Sequence, residues 1–259
     1  MPYARNRLDG TRIYFEDDGG RGAPVVFHGG LLDTVTLVRG SPIAQALQPR
    51  DEEFRLVYVD HRGIGRSDKP LDVEADAVAV LEELDIEQAH FIGTSYGGRL
   101  GFGIGEHAPK RVLSLVIGGQ QPFAMDPNTP VARAITEGAA AAQKEGMEAF
   151  VEALETVFGT RVPDAQRAVY LDNDPAAVEA MCRVMLDEGA IATDLGSWSV
   201  PCLIFIGARD ADFIDEARRA ADEIPNSEFI SLEELGHMGA HLQHDVVLPA
   251  VLRTLRAAG

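Results

Sequence analysis

Short apolar runs of strand length alternate along this chain with longer stretches of helical spacing. Arg12–Glu16, Pro24–Phe27, Phe54–Val59, Ala89–Thr94, Val112–Ile117, Pro201–Ile206 and Glu228–Leu232 read as strands. Several are almost uninterrupted Val, Ile, Leu and Phe, as in strands buried on both faces. Between them, Val73, Ala77, Val80, Leu81 and Leu84 recur at helical spacing, and Phe213–Ile224 and Ala240–Arg256 also read as helices. Strand and helix in alternation predict the α/β class, a mostly parallel sheet with helices on both faces. Gly19-Gly20-Arg21-Gly22 reads as a hairpin turn, and it lacks the Lys-Ser/Thr sequel of a phosphate loop.

One long stretch, Gln121 to Trp198, breaks the alternation. It carries no strand pattern and reads as helices over Pro130–Lys144, Met147–Phe158, Asp164–Leu171 and Pro175–Leu186. Asp174 before Pro175 has the form of an N-cap followed by proline at the first helical position. The predicted organisation is therefore a core of residues 1–120 and 199–259 interrupted by a helical insertion over 121–198. Phe123, Met125, Phe150, Phe158, Tyr170, Met181, Met185 and Trp198 are its large apolar side chains, most of them expected to pack the insertion's own core. Phe123 and Met125, just past a strand, are the preferred candidates to line a substrate pocket, with Trp198 and Leu31 beside them.

Composition narrows the function. The chain has 259 residues and a formal net charge of −18. Such a charge repels nucleic acid and anionic membranes and disfavours polyanionic substrates. No apolar run approaches the roughly 18 residues of a membrane span, and the first residues lack the apolar core of a signal peptide. A cytoplasmic location and a monomer or homodimer are expected. Cys182 and Cys202 read as small core side chains rather than a disulfide.

The chemistry centres on Ser95. The strand-like run Ala89–Thr94 ends in Gly93-Thr94-Ser95-Tyr96-Gly97, and a helix-like segment follows. Glycines two residues either side permit a turn tight enough to project the serine from its apex. Gly97, Gly101 and Gly105 then fall on one helical face. Each mid-helix glycine costs about 1 kcal/mol relative to alanine, so that face is expected to pack very close to a neighbour. A serine needs a base to become a nucleophile. Of the seven histidines, His237 follows the last predicted strand on its loop. His28 and His61 lie in glycine-rich loops, His90 starts a strand and His107 ends a helix. An acid that orients the imidazole is also required. Asp210 follows the strand Pro201–Ile206, with Asp212 as runner-up. Ser95, Asp210 and His237 thus each stand just past a strand, where a parallel sheet gathers its ligand-binding edge. His237, His241 and His244 could also suggest a metal site, but the residue after His237 is Met238 rather than the Glu of a zincin. No metal and no cofactor is expected.

These pieces together resemble the α/β-hydrolase fold superfamily: His28-Gly29-Gly30, Asp60-His61-Arg62-Gly63-Ile64-Gly65-Arg66-Ser67, Gly93-Thr94-Ser95-Tyr96-Gly97-Gly98, Gly207-Ala208-Arg209-Asp210 and Gly236-His237, in family order across nearly the whole chain. The resemblance implies Ser95 as nucleophile, His237 as base and Asp210 as acid. It implies an oxyanion hole from the N–H groups of Tyr96 and Gly30, with Leu31 as the fallback, and it matches residues 121–198 to the family's cap domain. The stretch Asp68–Val73 is shorter than usual. Where some relatives carry the acid, after the strand preceding the cap, this chain reads Gly118-Gly119-Gln120-Gln121. Relatives that open epoxides or displace halide use a carboxylate nucleophile, so serine points to acyl transfer.

The expected function is a serine hydrolase cleaving a small, neutral, fairly apolar carboxylic ester or lactone through an acyl-enzyme. Carbon–carbon bond hydrolysis and perhydrolysis use the same triad. A non-catalytic ligand receptor on the same fold is the reading from another class.

Overall fold

The computed structural model describes residues 2–68, 74–240 and 244–258, with the side chains of residues 74, 75 and 244 left aside. The shortened stretch after Asp68 and His241 thus fall outside the described residues, as does the side chain of His244.

Eight strands form one sheet: β1 (Tyr3–Arg5), β2 (Arg12–Asp17), β3 (Ala23–His28), β4 (Phe54–Val59), β5 (Ala89–Thr94), β6 (Val112–Gly118), β7 (Cys202–Gly207) and β8 (Ser227–Leu232). Their order is β1-β2-β4-β3-β5-β6-β7-β8. β1 and β2 run antiparallel, and every pairing from β4 through β8 is parallel. The helices are α1 (Val35–Arg39), α2 (Pro42–Leu47), α3 (Glu74–Glu83), α4 (Tyr96–His107), α5 (Pro130–Glu145), α6 (Met147–Phe158), α7 (Asp164–Leu171), α8 (Pro175–Asp187), α9 (Ile214–Glu223), α10 (His237–Ala240) and α11 (His244–Arg256).

Period-two alternation divides the strand side chains between two cores. Val57, Val59 and Phe91 belong to one, with residues of α3, α4, α9 and the inserted helices. Leu56, Tyr58 and Ile92 belong to the other, with α1, α2 and α11. The central strands are buried on both faces, hence their mostly apolar sequences.

The stretch Gly19-Gly20-Arg21-Gly22 does not close a hairpin. β2 pairs with β4, and β3 lies on the far side of β4. The glycines instead let the connection pass close to the chain before β4: a Cβ on Gly22 would meet Glu53 carbonyl atoms within about 2 Å.

Helices α5 to α8 follow one another between β6 and β7. Asp174 accepts from the Ala176 N–H and caps α8 ahead of Pro175. Arg99, fully buried in α4, ties this insertion to the sheet. Its guanidinium donates to the Gly189 and Phe123 carbonyls and pairs with Glu188. No helix among the described residues is long and apolar enough to cross a membrane.

Candidate active site

β5 delivers Ser95 to the edge of the sheet in a backbone conformation that L residues rarely adopt, φ 52° and ψ −118°. Such a position costs about 1–3 kcal/mol and persists only where its surroundings enforce it. Here the Ser95 N–H donates to Gly118 O on β6, and Arg99 N–H returns to Ser95 O. Two glycines make the turn possible. A Cβ on Gly93 would stand 2.1 Å from Gly97 O, and one on Gly97 would stand 2.4 Å from His28 O.

The ends of β7 and β8 bring the other two residues. Asp210 follows β7, and His237 opens α10. Both are buried, and His237 Nδ1 lies 2.7 Å from Asp210 Oδ2. His237 Nε2 lies 2.9 Å from Ser95 Oγ. With Nδ1–H donated to the carboxylate, the Nε2 lone pair faces the serine hydroxyl. Asp212 is engaged elsewhere: its carboxylate accepts the Val131 N–H at 2.9 Å and caps the start of α5.

Two aromatic rings position His237. Phe158, at the end of α6, stacks on the imidazole with centroids 4.5 Å apart and planes 9° from parallel. Phe213 leans on it at 5.4 Å.

A cavity of about 340 Å³ opens over Ser95 and His237. Leu31 and Met125 line it, joined by Leu154, Phe158, Tyr170 and Met185 from the insertion. Phe123 and Trp198 do not. The Phe123 ring lies beneath the Arg219 guanidinium of α9, 4.0 Å from it. The Trp198 indole packs against α4 at Gly105 and donates its N–H to Glu106. Both therefore belong to the seam between insertion and core.

Tyr96 is the first residue of α4, so its N–H has no partner within the helix and is available to an oxyanion. The Gly30 N–H is already committed. It donates to Asp33 Oδ2 at 2.7 Å. Asp33 also lines the cavity, and sequence patterning had singled out neither it nor this bond. Burial pushes its carboxyl above the usual range, against three hydrogen bonds that lower it, from Gly30, Tyr170 and Gln166.

Behind this loop, His28 and His61 stack at 5.4 Å, and His61 Nε2 bonds to Gly29 O. Burial pushes both below their ordinary value, to about 3 and about 4. They are neutral structural rings beneath the loop that carries Gly29 and Gly30. Among the described residues no three His, Cys, Asp or Glu side chains gather as a metal site.

The comparisons agree with this architecture. A non-heme chloroperoxidase of Streptomyces lividans is 28% identical over 281 aligned positions, covering 96% of this chain and 98% of that protein. The enol-lactonase of Burkholderia xenovorans LB400 superposes with a TM-score of 0.81 at 22% identity, covering 98% of this chain and all of that one. A thermophilic esterase of Thermogutta terrifontis, crystallised with malate, gives 0.81 at 24% identity and covers 99% and 98% of the two chains. The model of the alpha/beta hydrolase fold matches residues 23–242, most of the chain and every strand-end element of the site, so the protein belongs to that family.

Proposed function

We propose that this hydrolase cleaves a small, neutral, fairly apolar carboxylic ester or lactone through a Ser95 acyl-enzyme. The observation that carries the reading is the unbroken chain Ser95 Oγ, His237 Nε2, His237 Nδ1, Asp210 Oδ2, at 2.9 and 2.7 Å, opening into an apolar cavity. Its likeness to an enol-lactonase and an esterase supports the same bond class.

Ser95 Oγ attacks the carbonyl carbon while His237 Nε2 takes the hydroxyl proton. The carbonyl π electrons move onto oxygen, and the Tyr96 N–H meets that charge. The Gly30 N–H joins it by exchanging its Asp33 partner. The Leu31 N–H, which donates to no acceptor among the described residues, is the alternative. Collapse breaks the ester C–O bond, and His237 returns the proton to the departing alkoxide oxygen. Water then attacks the acyl-enzyme, with His237 again taking the proton, and the acid leaves as Ser95 is restored. Asp210 keeps Nδ1 protonated and steadies the imidazolium. Residues 121–198 act as a cap that supplies the acyl-binding wall, and no cofactor enters these steps.

A fluorophosphonate probe tests the assignment. It should label Ser95, and Ser95→Ala and His237→Ala should remove the label along with turnover of p-nitrophenyl butyrate. Labelling that survives Ser95→Ala overturns the reading, and tight ligand binding without turnover would favour a receptor instead.

A further inference from the structure

We infer that Asp33 is a specificity-determining residue: an ionised, unpaired carboxylate in the cavity wall that excludes acyl groups bearing a negative charge. The inference rests on the hydrolase reading and goes on to name its substrate class.

The hydrogen-bond directions suit the ionised form, against the upward push of burial. Asp33 Oδ2 accepts the Gly30 N–H at 2.7 Å. The Tyr170 oxygen accepts from Gln166 Nε2 at 2.6 Å, so its single proton is free to go to Asp33 Oδ1, 3.0 Å away. Both carboxylate oxygens therefore act as acceptors, and neither has a neighbour that calls for a carboxyl proton.

Every partner is neutral: a backbone amide, a phenol and a carboxamide. No ion pair joins Asp33 among the described residues, so its full charge reaches the cavity. The charged side chains Glu155 and Arg161 of the lining each have a partner of opposite charge. Glu155 is bound to the Val162 N–H and to Arg167. Arg161 is largely exposed and sits beside Asp164.

The carboxylate is also close to the chemistry. A Cβ built on Gly30 would lie 3.2 Å from Asp33 Oδ2 and 3.7 Å from Ser95 Cβ, so the two stand no more than about 7 Å apart. An acyl-chain anion held about 7 Å from Asp33, at an effective dielectric near 20, would be disfavoured roughly fiftyfold. A neutral chain escapes this, and a hydroxyl or ammonium group reaching Asp33 gains a hydrogen bond.

The test compares p-nitrophenyl esters of matched length ending in a methyl ester, a carboxylate or an ammonium group, with Ser95→Ala as the blank. The wild type should favour the neutral over the anionic ester by at least tenfold in kcat/KM. Asp33→Asn should reduce that ratio at least tenfold, whatever its absolute rate. An unchanged ratio in an active, folded Asp33→Asn overturns the inference. If that variant does not fold, the wild type decides. Hexanoate and hexanamide are compared as inhibitors, and in Ser95→Ala as ligands by calorimetry. Hexanoate binding as tightly as hexanamide refutes the role of Asp33, even if no ester is turned over. Failure of every ester with the wild type refutes the hydrolase reading alone.

Discussion

Replacing Gly97 and Gly101 by alanine, one at a time, tests how the elbow is built. Both lie in α4, four residues apart on one face, and both gain the same methyl group. By propensity alone each change stabilises the helix by about 1 kcal/mol. The structure separates them. At Gly101 the new carbon would meet Ile117 Cγ1 at 3.4 Å, an ordinary contact. At Gly97 it would stand 2.4 Å from His28 O and 2.6 Å from Gly29 O, where contacts below 3.0 Å essentially do not occur. The backbone at His28 and Gly29 must therefore retreat by at least about 0.6 Å, and overpacking of this kind destabilises by about 1–3 kcal/mol. The retreat also strains the Gly97 N–H bond to Gly29 O, now 2.9 Å long, and carries Gly30 and Leu31 away from Ser95. A displacement approaching 1 Å is worth about a hundredfold in rate. Thermal melts and p-nitrophenyl butyrate turnover read both effects. Gly101→Ala should melt at or above the wild type with its activity kept. Gly97→Ala should melt lower and lose at least about tenfold in kcat. A Gly97→Ala protein with wild-type melting and kcat would refute the close approach on which the geometry rests.

Asp210→Asn should keep the fold and lose turnover by about 10⁴-fold, because it removes the acceptor that fixes the His237 tautomer; if Asp212→Asn is the damaging change instead, the acid has been misassigned. Phe158→Ala removes the ring stacked on His237, and the lost pair, worth about 0.5–1.5 kcal/mol, should lower melting modestly while kcat/KM on apolar esters falls. Arg99→Ala leaves the Gly189 and Phe123 carbonyls without their donor, and chemical denaturation should show a loss of about 1–3 kcal/mol. His28, His61 and His90 are pushed by burial to about 3, 4 and 4. They stay neutral in the fold where the unfolded chain protonates, so stability falls as pH drops below about 6.5, by up to about 1.4 kcal/mol per pH unit for each histidine. Melting temperatures flat from pH 7 to 4.5 would contradict that account.

The sheet was legible wherever strands are buried on both faces. Phe54–Val59 and Ala89–Thr94 run as read, because mostly apolar runs of strand length have one good solution between two covering layers. Tyr3–Arg5 escaped notice because three residues carry no period. Helix α2 did carry a signal: Ser41 caps it, accepting from the Ala44 N–H, and Pro42 stands at its first position. The supposed hairpin at Gly19–Gly22 failed for a different reason. Turn residues report that the chain reverses, whereas strand adjacency is decided by the whole sheet, and β4 lies between β2 and β3.

The strand-end site was readable because the backbone itself places Ser95, Asp210 and His237 on one edge. The cavity was not, because its walls depend on which way each inserted helix turns. The glycine stripe of α4 and Trp198 read as separate features, yet they meet in one contact: Gly105 leaves the space that the indole occupies. That contact takes Trp198 out of the pocket, while Phe158 and Tyr170, indistinguishable by composition from core aromatics, are turned into it. Asp33 shows the limit most clearly. An acid three residues after Gly30 and two before α1 reads as an ordinary helix-start residue. Only Tyr170, 137 positions along the chain, supplies the second bond that holds its carboxylate in the cavity wall. The walls of the candidate site are therefore set by pairings between core and insertion, which no local window contains.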